Sequence, residues 1–365
     1  MRVLWVFDFL SEQVRRVATL LADRPGISLD VMCRWSEEPP LDSSLMPLTH
    51  LHCRNKVDFA ARSRIRSQIQ SGSYDIVHAY TSKNLASVIG ACRGLRQAPK
   101  IVGYRGTVNR LRLLDPANWI TFWHPRVAKI LCVCRATENA LAASGIPPSK
   151  LATVLEGCAP DSLCTPPRSA RSEFDIPEDA FVVGLVANMR PVKRIDLLLE
   201  AAIQLEHLRN VYWLLVGPVN DGRIETLAAD RRIADRVRLT GARPGAGRLA
   251  GLFDVYASPS QMEGLSMSVM EAMAQRVCPL VSNAGGLPEL VEHEVSGLVV
   301  PTENTEAIAH SICRLHDNAA FRQQLADAAY ERAISEFSIE AWTERLAQVY
   351  AIVCADGMQG RHRAA

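Results

Sequence analysis

Ser258-Pro-Ser-Gln-Met-Glu263-Gly264-Leu265-Ser266-Met-Ser-Val-Met-Glu271-Ala-Met-Ala274 places seven residues between two glutamates. The apolar run 255–258 predicts a strand that ends at Pro259. A helical pattern begins near Ser266. Glu263 then falls in the connecting loop and Glu271 two turns into the helix. The helix start between them offers free backbone N–H groups and the positive end of the dipole. That arrangement suits a phosphate with hydroxyls on either side, the groups of a sugar joined to a nucleoside diphosphate. Two glutamates at this spacing also occur on ordinary solvated strand–loop–helix junctions, so the spacing alone leaves both readings open.

The residues that follow narrow the choice. After Glu271 the chain reads Val281-Ser-Asn-Ala-Gly285-Gly286-Leu-Pro288-Glu289-Leu-Val291, then Gly297-Leu-Val-Val-Pro301. In order and spacing this resembles the Glu-x7-Glu signature of family 4 of the retaining glycosyltransferases, with its later G-G-x-P-E-L-V and G-x-L-V blocks. The resemblance is strong over most of residues 180–335 and looser over 1–165. It implies an α/β chain of the GT-B fold, two Rossmann-like domains facing each other across a cleft. It further implies a nucleoside diphosphate sugar as co-substrate, held mainly by the C-terminal domain. Glu263 would meet the donor-sugar hydroxyls and Glu271 the ribose hydroxyls, with Gly264, Leu265, Ser266, Gly285 and Gly286 lining the donor site. The family carries Gly and Pro where this chain has Arg276 and Cys278, a departure expected to alter a turn.

A second motif precedes the first: Asn188-Met-Arg190-Pro-Val-Lys193-Arg194-Ile-Asp196. A strand is predicted to end near Ala187 and a helix to begin near Pro191. Lys193 and Arg194 then occupy the first helical turn, where each cation opposes the macrodipole by ~0.3–1 kcal/mol. Such a locally unfavourable choice points to another purpose, or to a solvated basic surface. A diphosphate at this helix end would turn repulsion into attraction. The resemblance places Lys193 on the donor diphosphate. The family more often has Gly-Arg five residues before that lysine, where this chain has Asn188, and Arg190 is the candidate substitute. Glu263, Lys193 and Arg190 form the expected catalytic set.

The N-terminal half matches less closely. Tyr74-Asp-Ile-Val-His78 resembles the family's D-x-V-H strand, which implies His78 at a strand end facing the cleft. A lone histidine there is also often a core residue. Arg105, in Tyr104-Arg105-Gly106, stands where many members have the histidine of a His-Gly pair. An arginine at that position could bind phosphate, an acidic acceptor, or a carboxylate of its own domain. The first loop, Asp8-Phe-Leu-Ser11-Glu12, lacks the Gly-Gly often seen in the family.

A chain of 365 residues at 48% hydrophobic content suits two domains of ordinary size. Short β-branched runs alternate with helical patterns, the mark of parallel α/β sheets. Strands are expected at 3–7, 28–33, 76–78, 100–103, 129–133 and 153–155, then at 181–187, 212–217, 237–239, 255–258, 279–281 and 298–300. Residues 164–172, rich in Pro, Ser and Arg, read as a linker. The expected division is 1–165 and 173–338. The closing helix, about 339–354, rejoins the first domain, as the resemblance implies, and 355–365 form an unstructured tail.

Net charge is +2, unevenly spread: residues 1–165 carry 21 Lys/Arg against 13 Asp/Glu, and the other 200 carry 20 against 26. A basic half suits an anionic partner or is plain solvated surface. Family members that act on lipid-linked acceptors dock this domain on membranes. The expected partners are therefore a glycan or lipid-linked acceptor and an anionic membrane surface. No apolar run reaches the ~18 residues of a membrane span, and the N-terminal run is too short for a signal peptide. Ten scattered cysteines without zinc-type spacing fit free thiols in a reducing compartment. The chain is expected at the cytoplasmic face, in lipopolysaccharide or other cell-surface glycan synthesis.

No Asp-x-Asp, Gly-x-Gly-x-x-Gly after a strand, or Gly-x4-Gly-Lys-Ser/Thr occurs, so no metal and no cofactor are expected. No nucleic-acid recognition motif is present. Two other readings share the fold: a sugar-nucleotide epimerase, which the Glu-x7-Glu block disfavours, and a catalytically degenerate binding protein, which the loss of Gly-Gly and the His-to-Arg change allow.

Overall fold

The computed structural model describes residues 1–35, 46–112, 114–160 and 165–362. It divides into two compact units, Met1–Glu156 with Ile339–Ala365, and Gly157–Ser338.

In the first unit, β1 (Arg2–Val6), β2 (Ser28–Cys33), β3 (Leu48–His50), β4 (Ile76–Ala79), β5 (Lys100–Arg105), β6 (Val127–Cys132) and β7 (Leu151–Thr153) form one sheet. Its order is β3-β2-β1-β4-β5-β6-β7, and every pair is parallel. The centre is buried on both faces: Val3, Leu4, Trp5 and Val6 have no exposed surface. Such a strand reads as a continuous apolar run because helices cover both sides. The connections include α1 (Glu12–Ala22), α2 (Phe59–Gly72), α3 (Ser82–Ala91), α4 (Pro116–Trp119) and α5 (Arg135–Ala142). Ser11, Asp58 and Thr81 cap α1, α2 and α3 through their side chains, each satisfying an N–H the helix leaves open.

The second unit repeats the plan. Here β8 (Phe181–Val186), β9 (Val211–Val216), β10 (Val237–Leu239), β11 (Val255–Ser258), β12 (Cys278–Ser282) and β13 (Leu298–Val300) take the order β10-β9-β8-β11-β12-β13. Its helices are α6 (Ile195–Gln204), α7 (Gly222–Ala228), α8 (Met267–Met273), α9 (Leu287–Leu290), α10 (Thr305–Asp317) and α11 (Ala319–Glu336). Strand order reverses at β8/β11. In open α/β sheets ligands bind beyond the strand ends at such a point. The loops leaving β8 and β11 carry Lys193 and Glu263.

Several expectations need correction. The short β3 has no sequence signal of its own. The strand expected at 153–155 is β7, two residues earlier, a shift that preserves which side chains face each way. Residues 164–172 are not a free linker: Arg168–Phe174 form a 3-10 helix of the second unit, and Arg171 is buried in it. The unit boundary falls instead between Glu156 and Gly157. The final helix, α12 (Ile339–His362), continues through most of the expected tail. Gly357 and Gly360 weaken a helix by about 1 kcal/mol each relative to Ala, and no proline stops it. The last three residues of that tail lie outside the described residues. Nine cysteines are free; Cys164 lies outside the described residues. Among those residues no helix is long and apolar enough to cross a membrane.

Candidate functional site

The loop after β11 is fixed from three directions. The Ser282 hydroxyl, at the end of β12, donates to the Ser260 carbonyl. Gln261 N–H donates to Val192 O at 2.9 Å, and Gly286 N–H donates to Glu263 O at 3.2 Å. Glu263 is thereby held between the turn after β8 and the start of α9. Its Oε2 accepts hydrogen bonds from Lys193 Nζ and, at 3.3 Å, from the Ser260 hydroxyl. Lys193 and Glu263 are largely covered, with side-chain exposures of 19% and 17%. A cation and a carboxylate in contact at the switch point can separate onto a diphosphate and a sugar hydroxyl.

The local backbone differs from expectation. Pro191–Lys193 form one 3-10 turn, and Arg194 takes a left-handed conformation with φ 50° ahead of α6. Lys193 thus precedes the α-helix and does not sit in its first turn. Asp196 supplies an acid in that turn and pairs with Arg194 at 3.1 Å. Arg194 also pairs with Glu303 at 2.8 Å. Arg194 is a structural residue; Lys193 faces Glu263. Arg190 is exposed, and its guanidinium has no hydrogen bond or ion pair among the described residues. Lys193 also lines a small pocket with Val186, Ile195, Tyr256, Ser258 and Ser268. Its floor is tied together by Tyr256, whose hydroxyl donates to Ser268 Oγ at 2.8 Å and accepts from Val186 N–H at 3.2 Å.

Leu265 and Ser266 are buried, and Ser266 caps no backbone N–H. The helix after them, α8, has only seven residues, so Glu271 lies little more than one turn in, not two. The helix is too short to serve as the anion site on its own. Glu271 packs its carboxylate against Gly247, in the 3-10 segment Ala246–Leu252. Gly285 has φ 54°, and Gly286 opens α9, so this pair makes the tight turn that carries the Gly286 N–H to Glu263. The departure at Arg276 is also a backbone matter. Its φ is 58°, a region costly for any residue with a Cβ. Arg276 pairs with Asp327 at 2.6 Å and lies 3.8 Å from the centre of the Tyr330 ring.

The two candidates of the first unit behave differently. His78 is not an open strand-end residue. It has no exposed surface, and its Nδ1 lies 2.6 Å from the Tyr350 hydroxyl of α12. Burial drives its pKa down to about 3, so the ring is neutral. Trp5 Nε1, a donor only, gives its hydrogen to the same Tyr350 oxygen at 2.8 Å. His78 therefore docks α12 onto β4. Its neighbours in sequence could not show this, because Tyr350 lies 272 residues away. Arg105 ends β5, partly buried over the Phe122 ring at 5.4 Å, and donates to Asn109 O at 3.5 Å. Burial lowers its pKa. Its Nε has no partner among the described residues.

Sequence reading missed Ser260, Ser282 and Gln275, which hold the two glutamate-bearing segments. A serine or glutamine carries no spacing signal for a contact made across strands. Among the described residues no cluster of three or more His, Cys, Asp or Glu could hold a metal ion.

Comparison with known proteins bears on the family and the fold. Residues 168–332 match the family model "Glycosyl transferases group 1", and residues 11–161 match "Glycosyltransferase Family 4". A D-inositol 3-phosphate glycosyltransferase of Saccharomonospora viridis is 32% identical over 196 residues, covering 50% of this chain and 45% of that protein. The lipopolysaccharide core biosynthesis glycosyltransferase LpsE of Rhizobium meliloti is 29% identical over 183 residues, covering 50% and 53%. The matches span about half the length of these curated relatives. The crystal structure of Anabaena Alr3699/HepE in complex with UDP superposes with a TM-score of 0.79 at 18% identity, covering 96% of this chain and 100% of that one.

Proposed function

We propose that this chain, which belongs to family 4 of the glycosyltransferases and has the GT-B fold, is a retaining enzyme. It moves a sugar from a nucleoside diphosphate sugar to a glycan or lipid-linked glycan acceptor. The observation that carries the reading is the Lys193–Glu263 contact at the β8/β11 switch point, with Glu271 on the helix that follows. In the unliganded chain the two charges satisfy each other. A bound donor replaces that contact: its diphosphate takes Lys193 and the exposed Arg190, and its sugar hydroxyls take Glu263. Glu271 accepts from the ribose hydroxyls.

Chemistry then needs the bond between the anomeric carbon and the diphosphate oxygen to break. Lys193 and Arg190 stabilise the negative charge that collects on that oxygen. Preorganised charge of this kind is commonly the largest single contribution to an enzymatic rate. The acceptor hydroxyl attacks the same face of an oxocarbenium-like sugar, and its proton leaves with the diphosphate. Glu263 positions the sugar and need not become bonded to it. Neutralisation by side chains makes the reaction independent of a divalent metal.

The test is release of nucleoside diphosphate from UDP-, GDP- and ADP-linked sugars in excess EDTA. At least one donor is expected to turn over. Release that requires added Mg²⁺ or Mn²⁺ would overturn metal independence alone. No release under either condition would favour the degenerate binding protein.

The acceptor side carries its own prediction. In the first unit Val57, Phe59, Leu114, Trp119 and Ile120 are exposed apolar residues, interspersed in sequence with Arg54, Lys56, Arg110 and Arg112. Within α2, Arg66 bonds the Ala91 and Arg93 carbonyls, which leaves Arg64 the more available cation. Exposed aromatics among basic residues suit the surface of an anionic bilayer, where each cation adds ~1 kcal/mol of salt-sensitive attraction. The relative active in lipopolysaccharide core synthesis supports a cell-surface glycan as product. A peripheral enzyme at the inner face of the cytoplasmic membrane should co-sediment with anionic vesicles at low salt and be released as salt rises. Equal binding to neutral vesicles, or none to either kind, would remove the membrane from this proposal and leave the transferase.

A further inference from the structure

We propose that Gly247 is a positioning residue of the donor site, acting through Glu271. This rests on the ribose role proposed for Glu271. A Cβ at position 247 would lie 2.8 Å from Glu271 Cδ, 3.2 Å from its Oε1 and closer still to its Oε2. Real Cβ atoms do not approach other atoms under about 3 Å, so the Glu271 carboxylate occupies space that exists only because residue 247 has no side chain.

Gly247 is not needed there for its backbone. Unlike Gly241 and Gly245, its φ is not positive, so alanine can adopt its conformation. The atoms a methyl group would meet are the far end of a flexible side chain. Substitution therefore displaces the carboxylate and leaves the fold in place. A second contact keeps the seat rigid. Gln275, buried one turn beyond Glu271, donates through Nε2 to Gly247 O at 2.8 Å and to Glu271 O at 3.0 Å. One amide thus ties the 3-10 segment Ala246–Leu252 to the helix bearing Glu271. The distance between seat and carboxylate is set by the backbone, not by surface chance.

The experiment is a double-mutant cycle on the full chain. The probe is whichever of UDP, GDP and ADP binds the wild-type protein most tightly. Binding is measured by titration calorimetry and stability by thermal melting without ligand. Gly247→Ala is expected to weaken binding by roughly tenfold to a hundredfold, the loss of one charge-assisted hydrogen bond, with little change in melting temperature. In the Glu271→Ala background the same substitution should add almost nothing, because its target is already gone. Unchanged affinity in Gly247→Ala would overturn the inference. So would an equal loss in both backgrounds, which would mean that residue 247 acts independently of Glu271. A Glu271→Ala variant that binds as tightly as wild type would instead remove the ribose assignment itself, and the inference with it.

Discussion

Lys193→Ala is expected to lower donor turnover roughly 10²–10³-fold, the usual result of removing one preorganised charge contact from a transition state. Its effect on stability should be the smaller of the two. The Lys193–Glu263 pair is largely covered, and Glu263 keeps the Ser260 hydroxyl at 3.3 Å when the lysine is gone. Loss of one partner from such a pair costs about 1–3 kcal/mol, and each kcal/mol is about 2–4 °C for a unit of this size. The two readouts separate the two roles of Lys193. If it serves the departing diphosphate, the rate of the folded variant falls while melting drops by only a few degrees. If the pair is only a structural bridge, the variant turns over donor at nearly the wild-type rate. That second result would remove Lys193 from the reaction and leave the switch-point geometry without its main cation.

The legible parts of this chain are those in which local pattern and fold agree. The parallel strands read as buried apolar runs, and β8 and β11 deliver their loops to one point because strand order reverses there. Glu263 and Lys193 could be picked out because each follows a strand that its own sequence announces. Arg194 shows where this stops. Charge placement alone made it equivalent to Lys193, yet a left-handed turn rotates it onto Asp196 and Glu303. The α-helix begins at Ile195, four residues after the expected start near Pro191, and that shift decides which cation faces Glu263. His78 shows the second limit. Its position on β4 was correct, but Tyr350 of α12 buries it, and no local pattern encodes a partner so distant in sequence. Arg276 is a third case. A missing glycine marked the turn, while the Asp327 and Tyr330 contacts that hold an arginine in a glycine's conformation come from α11.

Arg171→Met should destabilise the second unit by about 3–5 kcal/mol, the range seen when one partner of a buried ion pair is removed. Proline, serine and neighbouring arginines made residues 164–172 look like solvent-exposed linker. In the fold Arg171 has a side-chain exposure of 1% and spans the base of the second unit. Its Nε and Nη2 donate to Leu252 O at 3.0 and 2.7 Å. Its Nη1 donates to Glu178 O at 3.0 Å and Ala180 O at 2.7 Å, and Nη2 reaches Asp254 Oδ2 at 2.9 Å. Methionine fills similar space and supplies none of these donors. Three carbonyls lose a partner, those of Leu252 and Ala180 buried and that of Glu178 partly so, and among the described residues Asp254 keeps Val182 N–H at 2.8 Å and Arg168 at 2.9 Å. Lysine would not restore the set, since one ammonium cannot reproduce a planar fork that meets acceptors on several sides. Arg168→Ala is the matched control. It removes a bond to the same carboxylate from a side chain 58% exposed, and solvent screening limits its cost to about 1 kcal/mol or less. Urea unfolding followed by a probe in the second unit measures both. A large loss for Arg171→Met beside a small one for Arg168→Ala is the expected outcome. Similar small losses for the two would mean that residues 168–174 can leave the core without consequence, and that the stretch is a linker after all.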